Sequence, residues 1–219
     1  MNITPTILTH SFDQIVEDLS RLEGLVTLVQ IDLCDGIFGR EKTWLPEGNE
    51  KLPSNFSYEF DVMIDDWKKY TPRCVAIGAK RIVAHADLFK DGDMEYLVDM
   101  IKNQSIDLGI SVSNDKSIDF HADMIRQAKE LYPKVFIQIM GIKKIGEQGQ
   151  IFEEETIHRI RALKQQFGEM SVQIDGGMKP DTAKRVVEAG ADTIVVGSYI
   201  FGSHDAGEAL EALNLAINN

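Results

Sequence analysis

Between Val172 and Gly202 the chain runs Val-Gln-Ile-Asp-Gly-Gly, then Met178-Lys-Pro-Asp-Thr and a helical stretch, then Gly190-Ala-Asp-Thr-Ile-Val-Val-Gly-Ser. The order is strand, glycine turn, helix, strand, glycine turn, which is one βαβ unit closing a parallel sheet. Gly176-Gly177 follows the first strand and Gly197-Ser198 the second. Turns without side chains let backbone N–H groups approach an anion, and a helix start adds its positive dipole end. The two turns, one βα unit apart, are expected to bind a phosphate. Asp175 ends the first strand, where chemistry would occur.

The rest of the chain supplies six more strands in the same rhythm. They are expected at residues 3–8, 28–32, 58–63, 81–84, 108–112 and 135–140, from short β-branched runs bounded by turn residues. Helices are expected at 12–22, with Ser11 as its cap, and at 66–77, 94–102, 122–131, 153–167, 180–189 and 206–217. Residues 36–57, broken by Pro46, Gly48 and Pro53, read as a loop with at most a short helix. Gly78-Ala-Lys-Arg-Ile-Val and Gly190-Ala-Asp-Thr-Ile-Val start strands four and eight. That echo suits two half-barrels, and equally a common helix-to-strand connector. Eight strands alternating with helices in 219 residues predict an α/β fold, a single-domain (β/α)8 TIM barrel spanning 1–219. The loops after the last two strands of such a barrel are where phosphate sits.

Periodicity also places side chains. In strand two, Leu28, Gln30 and Asp32 share one face, so Gln30 and Asp32 are expected to point into the barrel. The strand-six loop, Gly141-Ile-Lys-Lys-Ile-Gly-Glu-Gln-Gly-Gln150, is long enough for a lid. Its Lys143 and Lys144 either attract a phosphate or are solvated surface lysines. Asp35, before Gly36, reads as turn chemistry. His85 is either a substrate contact or a satisfied histidine at the barrel rim, and Met63 and Met140 read as rim packing.

A net charge of −12 argues against nucleic acid or an anionic membrane as a partner, because both need a basic face. An anionic substrate must then be held by local groups. No signal segment and no apolar run of about 20 residues is seen. Two cysteines, Cys34 and Cys74, form no disulfide framework, so the expected home is a reducing cytoplasm.

These motifs resemble the ribulose-phosphate 3-epimerases of the ribulose-phosphate-binding barrel superfamily, over nearly the whole chain. Pro5-Thr-Ile-Leu8 resembles that family's Pro-Ser-Ile-Leu. Gln30-Ile-Asp-Leu-Cys-Asp-Gly-Ile-Phe38 resembles His-x-Asp-x-Met-Asp-Gly-x-Phe, and Phe60-Asp-Val-Met63 resembles Leu-Asp-Val-His. Val83-Ala-His-Ala86 is similar to Val-His-Ala, Ile174-Asp-Gly-Gly177 to Val-Asp-Gly-Gly, and Gly197-Ser-Tyr-Ile-Phe-Gly202 to Gly-Ser-x-x-Phe-Gly.

The resemblance implies a 1,1-proton transfer at C3 of a ketose phosphate, through an enediolate, with Asp32 and Asp175 as the two catalytic carboxylates. It implies substrate or phosphate contacts at Thr6, His85, Gly149, Gly176, Gly177, Gly197 and Ser198. In the family a divalent metal, usually zinc or iron, is held by two histidines and the same two aspartates. Here Gln30 and Met63 stand at the histidine positions, leaving Asp32 and Asp175 as the retained ligands. A thioether is a poor ligand for zinc or iron in a carboxylate site, so such a metal is expected to bind weakly or not at all. Without it, two neighbouring carboxylates should share a proton. The strand-five Ser113-Asn114 and the strand-six loop also depart from the family's Asn-Pro and Asn-Pro-Gly-Phe-Gly-Gly-Gln, although Gly149-Gln150 and Phe152 keep the end of the latter. A homo-oligomer is expected from the resemblance. The alternatives are a superfamily decarboxylase or synthase, disfavoured because Asp32-Leu-Cys-Asp35 lacks that group's lysine, and a metal-free phosphosugar-binding homologue without catalysis.

Overall fold

The computed structural model describes residues 1–218. Eight parallel strands close on themselves in chain order: β1 (Asn2–Ile7), β2 (Leu28–Cys34), β3 (Ser57–Met63), β4 (Arg81–His85), β5 (Asp107–Val112), β6 (Val135–Met140), β7 (Val172–Asp175) and β8 (Thr193–Val196). β1 pairs with both β2 and β8, so no strand edge is left open. The helices are α1 (Phe12–Ser20), α2 (Trp67–Ala76), α3 (Asp93–Ile101), α4 (Ile118–Leu131), α5 (Glu155–Phe167), α6 (Pro180–Glu188), the one-turn α7 (Ser198–Phe201) and α8 (Ala206–Asn218). No helix among the described residues is long and apolar enough to cross a membrane.

Local chemistry explains the helix starts. Ser11 Oγ accepts from the Gln14 amide at 3.3 Å and opens α1, whose Ile15 and Leu19 are buried. Ser117 does the same for α4, accepting from Phe120 at 3.2 Å, which starts that helix four residues before the expected 122. Pro180 sits in the first turn of α6, and Thr182 Oγ1 reaches back to accept from the Lys179 amide at 2.9 Å. Two short elements had no readable signal: a 3₁₀ turn at Ala86–Leu88, and α7.

Strand alternation sorts the residues as the sequence pattern requires. Val29, Ile31 and Leu33 of β2 point outward and are buried in the apolar layer that includes Ile15, Leu19 and Leu22. Gln30 and Asp32 point inward, as expected. The inside of the barrel is unusually polar. TIM-barrel interiors are mostly filled by branched aliphatics, whereas Gln30, Glu59, Gln138 and Gln173 here meet one another in the buried centre.

The connection between β2 and β3 contains no helix. Asp35 organises its start, accepting from the amides of Ile37 (2.8 Å), Phe38 (3.0 Å) and Asp65 (2.7 Å), so its turn role holds. Farther along, the amides of Arg40 and Glu41 donate to the carbonyls of Ile145 and Gly146 at 3.1 Å each. The strand-two and strand-six loops are thereby clasped to each other above the strand ends.

Candidate active site

At the C-terminal ends of the strands lies a cleft with about 480 Å³ of empty space, open solvent included. Thr6, Asp32 and Asp175 form part of its floor, and the thioethers of Met63 and Met140 line it beside them. Gly176, Gly177, Gly197 and Ser198 line one flank, while residues 146–150 of the strand-six loop cover it. Seven expected contact or catalytic positions besides Gly149 therefore converge on one space.

His85 does not line this cleft. It is buried, its Nε2 lies 2.8 Å from Asp61 Oδ1, and the Phe38 ring stands edge-on to it at 5.1 Å between centroids. The geometry thus gives the satisfied-histidine alternative, because β3 and β4 are neighbours and Asp61 takes the imidazole first. Lys144 lies on the exposed outside of its loop, 3.8 Å from Glu147, and neither it nor Lys143 lines the cleft.

The glycine flank is shaped by close approach. Gly177 has φ +72°, and a Cβ there would come within 2.8 Å of the Phe152 Cα. At Gly197 a Cβ would meet the Gln148 amide nitrogen at 2.6 Å and the Thr6 methyl at 3.1 Å. The covering loop thus lies directly on the two turns, with Gln148 reaching over Gly197. Among the described residues no lysine or arginine lines the cleft, so an anion there must rely on N–H groups and amides.

The floor holds a third carboxylate that the sequence reading did not single out. Asp32 and Asp61 are directly paired across β2 and β3. One oxygen each of Asp32, Asp61 and Asp175 lies within 4.8 Å of the other two, close enough to surround a cation. Strand period could have found it, since Glu59, Asp61 and Met63 share a face in Tyr58-Glu-Phe-Asp-Val-Met63.

Each carboxylate has fixed donors. Asp32 Oδ1 accepts from Thr6 Oγ1 at 2.7 Å and from Gln30 Nε2 at 2.8 Å. The same Gln30 nitrogen is 3.4 Å from Asp175 Oδ2, so one amide bridges both aspartates. Asp61 Oδ2 accepts from Gln138 Nε2 at 2.8 Å. Burial pushes the Asp32 carboxyl up to about 7, with the charge on Asp61 adding to it and the Thr6 and Gln30 hydrogen bonds opposing. Burial likewise lifts Asp175 well above the usual carboxylate range, followed by the charges of Asp32 and Asp61. Both shifts run the same way, because burial and neighbouring negative charge each disfavour the ionised carboxylate.

Known proteins resemble this chain along most of its length. The family model described as the ribulose-phosphate 3 epimerase family matches residues 2–201. A ribulose-phosphate 3-epimerase of Aquifex aeolicus is 30% identical over 210 residues, covering 93% of this chain and 90% of that protein. The cytoplasmic isoform of Oryza sativa subsp. japonica is 25% identical over 98% of this chain and 93% of its own. Among solved structures, the 3-hexulose-6-phosphate synthase of Salmonella typhimurium superposes with a TM-score of 0.71 at 12% identity, covering 100% of this chain and 99% of that one, a likeness of fold. With the barrel and the matched span of residues 2–201 together, the chain belongs to the ribulose-phosphate 3-epimerase family.

Proposed function

We propose that the protein interconverts epimers of a ketose phosphate, D-ribulose 5-phosphate or a close relative, by moving a proton at C3 between Asp32 and Asp175. The observation that carries this reading is the pair of buried carboxylates, Asp32 and Asp175, on the floor of a cleft whose flank is two glycine turns. The turns hold the phosphate and fix the sugar's far end. One aspartate, ionised, takes the C3 proton from one face. The other, protonated, returns a proton from the opposite face. The enediolate formed between these steps carries negative charge, and N–H donors and the un-ionised carboxyl face it.

Although three carboxylates lie close enough to surround a cation, the family's zinc or iron loses both of its nitrogen ligands here and does not fit what replaces them. The Gln30 and Gln138 amides aim N–H groups, not oxygens, at the carboxylates, and a thioether occupies the second histidine position. No step of the proposal passes through a metal.

Incubation with D-ribulose 5-phosphate in deuterium oxide should place deuterium at C3 and produce the C3 epimer. Asp32→Asn and Asp175→Asn should each abolish both. Binding of the sugar phosphate with no exchange in the parent protein would instead assign a phosphosugar-binding role.

A further inference from the structure

The carboxylate floor rests on a second polar layer, centred on Gln173, which β7 points into the barrel two residues before Asp175. Its Oε1 accepts from Arg81 Nη2 at 3.0 Å, and its Nε2 donates to Glu59 Oε1 at 2.7 Å. Arg81 Nε in turn lies 2.9 Å from Glu59 Oε2, an ion pair in which both groups are largely withdrawn from water. This pair leaves the Gln173 amide one orientation. Turned over, it would face the guanidinium with its own N–H groups and the carboxylate with its oxygen.

Direction then propagates upward. Gln173 Nε2 also donates to Gln138 Oε1 at 2.8 Å and stands 3.5 Å from Gln30 Oε1. With its oxygen held below, Gln138 must present Nε2 to Asp61, and it does so at 2.8 Å. Gln30, with its oxygen on the same side, presents Nε2 to Asp32 and Asp175. All three glutamines are essentially inaccessible to water, so no solvent molecule can substitute for a misdirected amide without rearrangement.

We propose that Gln173 is the positioning residue of the proton-transfer site: anchored by Arg81 and Glu59, it sets the orientation of Gln138 and Gln30 so that amide N–H groups face the three aspartates. The inference rests on the proton-transfer reading above and extends it, because it states why N–H groups point where a cation would otherwise be needed. Gln173 touches no reacting atom and acts through the other two amides.

Gln173→Glu tests it most sharply, since a carboxylate of nearly equal size cannot donate to Gln138 and competes for its N–H groups. Gln173→Met removes the donor while keeping the volume, as a second variant should the first fold poorly. The expected result is a loss in kcat for C3 exchange of D-ribulose 5-phosphate on the order of 10²-fold in Gln173→Glu. A smaller loss is expected in Gln173→Met, with KM within a factor of about two in both, as for misplacement of groups that act on the transition state. Side-chain NH₂ resonances of Gln138 and Gln30, followed by NMR with ¹⁵N labelling, should shift and exchange faster with water in Gln173→Glu. A folded Gln173→Glu protein with parental kcat, or with those NH₂ signals unchanged, would overturn the assignment. The NMR readout does not depend on turnover, so an inactive parent would refute the proton-transfer reading while the NH₂ signals of Gln173→Glu still decide the orientation claim.

Discussion

Asp32→Asn should make the protein more stable in alkaline solution while removing its activity. In the folded chain burial carries the Asp32 carboxyl from 3.8 to about 7, so the native state resists ionisation that the unfolded chain accepts freely. A group raised in the folded state leaves stability intact at pH below about 4, where both states are protonated. Stability then falls as pH rises through the window from about 4 to about 7, because the unfolded state releases its proton first. At 1.36 kcal/mol per pH unit, the full displacement corresponds to about 4 kcal/mol lost above neutrality. An asparagine never ionises, so the variant avoids that loss, and it also relieves Asp175 of a neighbouring charge. Against this stands about 1 kcal/mol for weakened hydrogen bonds with Thr6 and Gln30. The expected balance is a variant equal to or slightly less stable than the parent at pH 4.5 and about 2–3 kcal/mol more stable at pH 8. Urea titrations of both proteins at the two pH values measure it. A variant destabilised by the same amount at pH 4.5 and pH 8 would refute the claim that burial raises the Asp32 carboxyl.

The two glycine turns should fail differently. Gly177→Ala places a Cβ at positive φ and against the Phe152 backbone, so it should cost roughly 1–3 kcal/mol of stability in thermal or urea melts. Gly197→Ala meets mainly the end of the flexible Gln148 side chain, so it should melt near the parent yet bind ribulose 5-phosphate more weakly. Ribulose without the phosphate should bind that variant almost as before; equal loss for both sugars would remove the phosphate from this flank. Cys34 is buried, and burial followed by the charge on Asp32 pushes its thiol up, so iodoacetamide at pH 8 should leave it unlabelled in the folded protein and label it in urea. Labelling of native Cys34 at the rate of a free thiol would show that the clasped loops open readily.

Much of this architecture was legible because strands have period two. Spacing alone turns Gln30 and Asp32 into the barrel, and the paired glycine turns mark the flank from the sequence. Asp61 shared that periodicity, since Glu59 and Asp61 alternate with Tyr58, Phe60 and Val62 as Gln30 and Asp32 do with Val29 and Ile31, so the same spacing argument places it inward. The role of His85 depended on Asp61, a partner 24 residues away that only the β3–β4 register brings close. The clasp of residues 40–41 onto 145–146 is made of backbone groups, which leave no trace in side-chain identity. Gln138 and Gln173 looked like ordinary strand residues, since the direction of an amide is set by what surrounds it and not by its own type.

Proton transfer on the carboxylate floor, under amide N–H groups, is proposed to need neither zinc nor iron. Its most direct test is the rate of deuterium incorporation at C3 of D-ribulose 5-phosphate by protein stripped with a chelator, followed by addition of Zn²⁺, Fe²⁺ or Mn²⁺ in turn. The rate should survive stripping, change little on adding any of the three ions, and disappear in Asp32→Asn and in Asp175→Asn. A stripped protein without exchange, restored in proportion to one ion bound per chain, would contradict it.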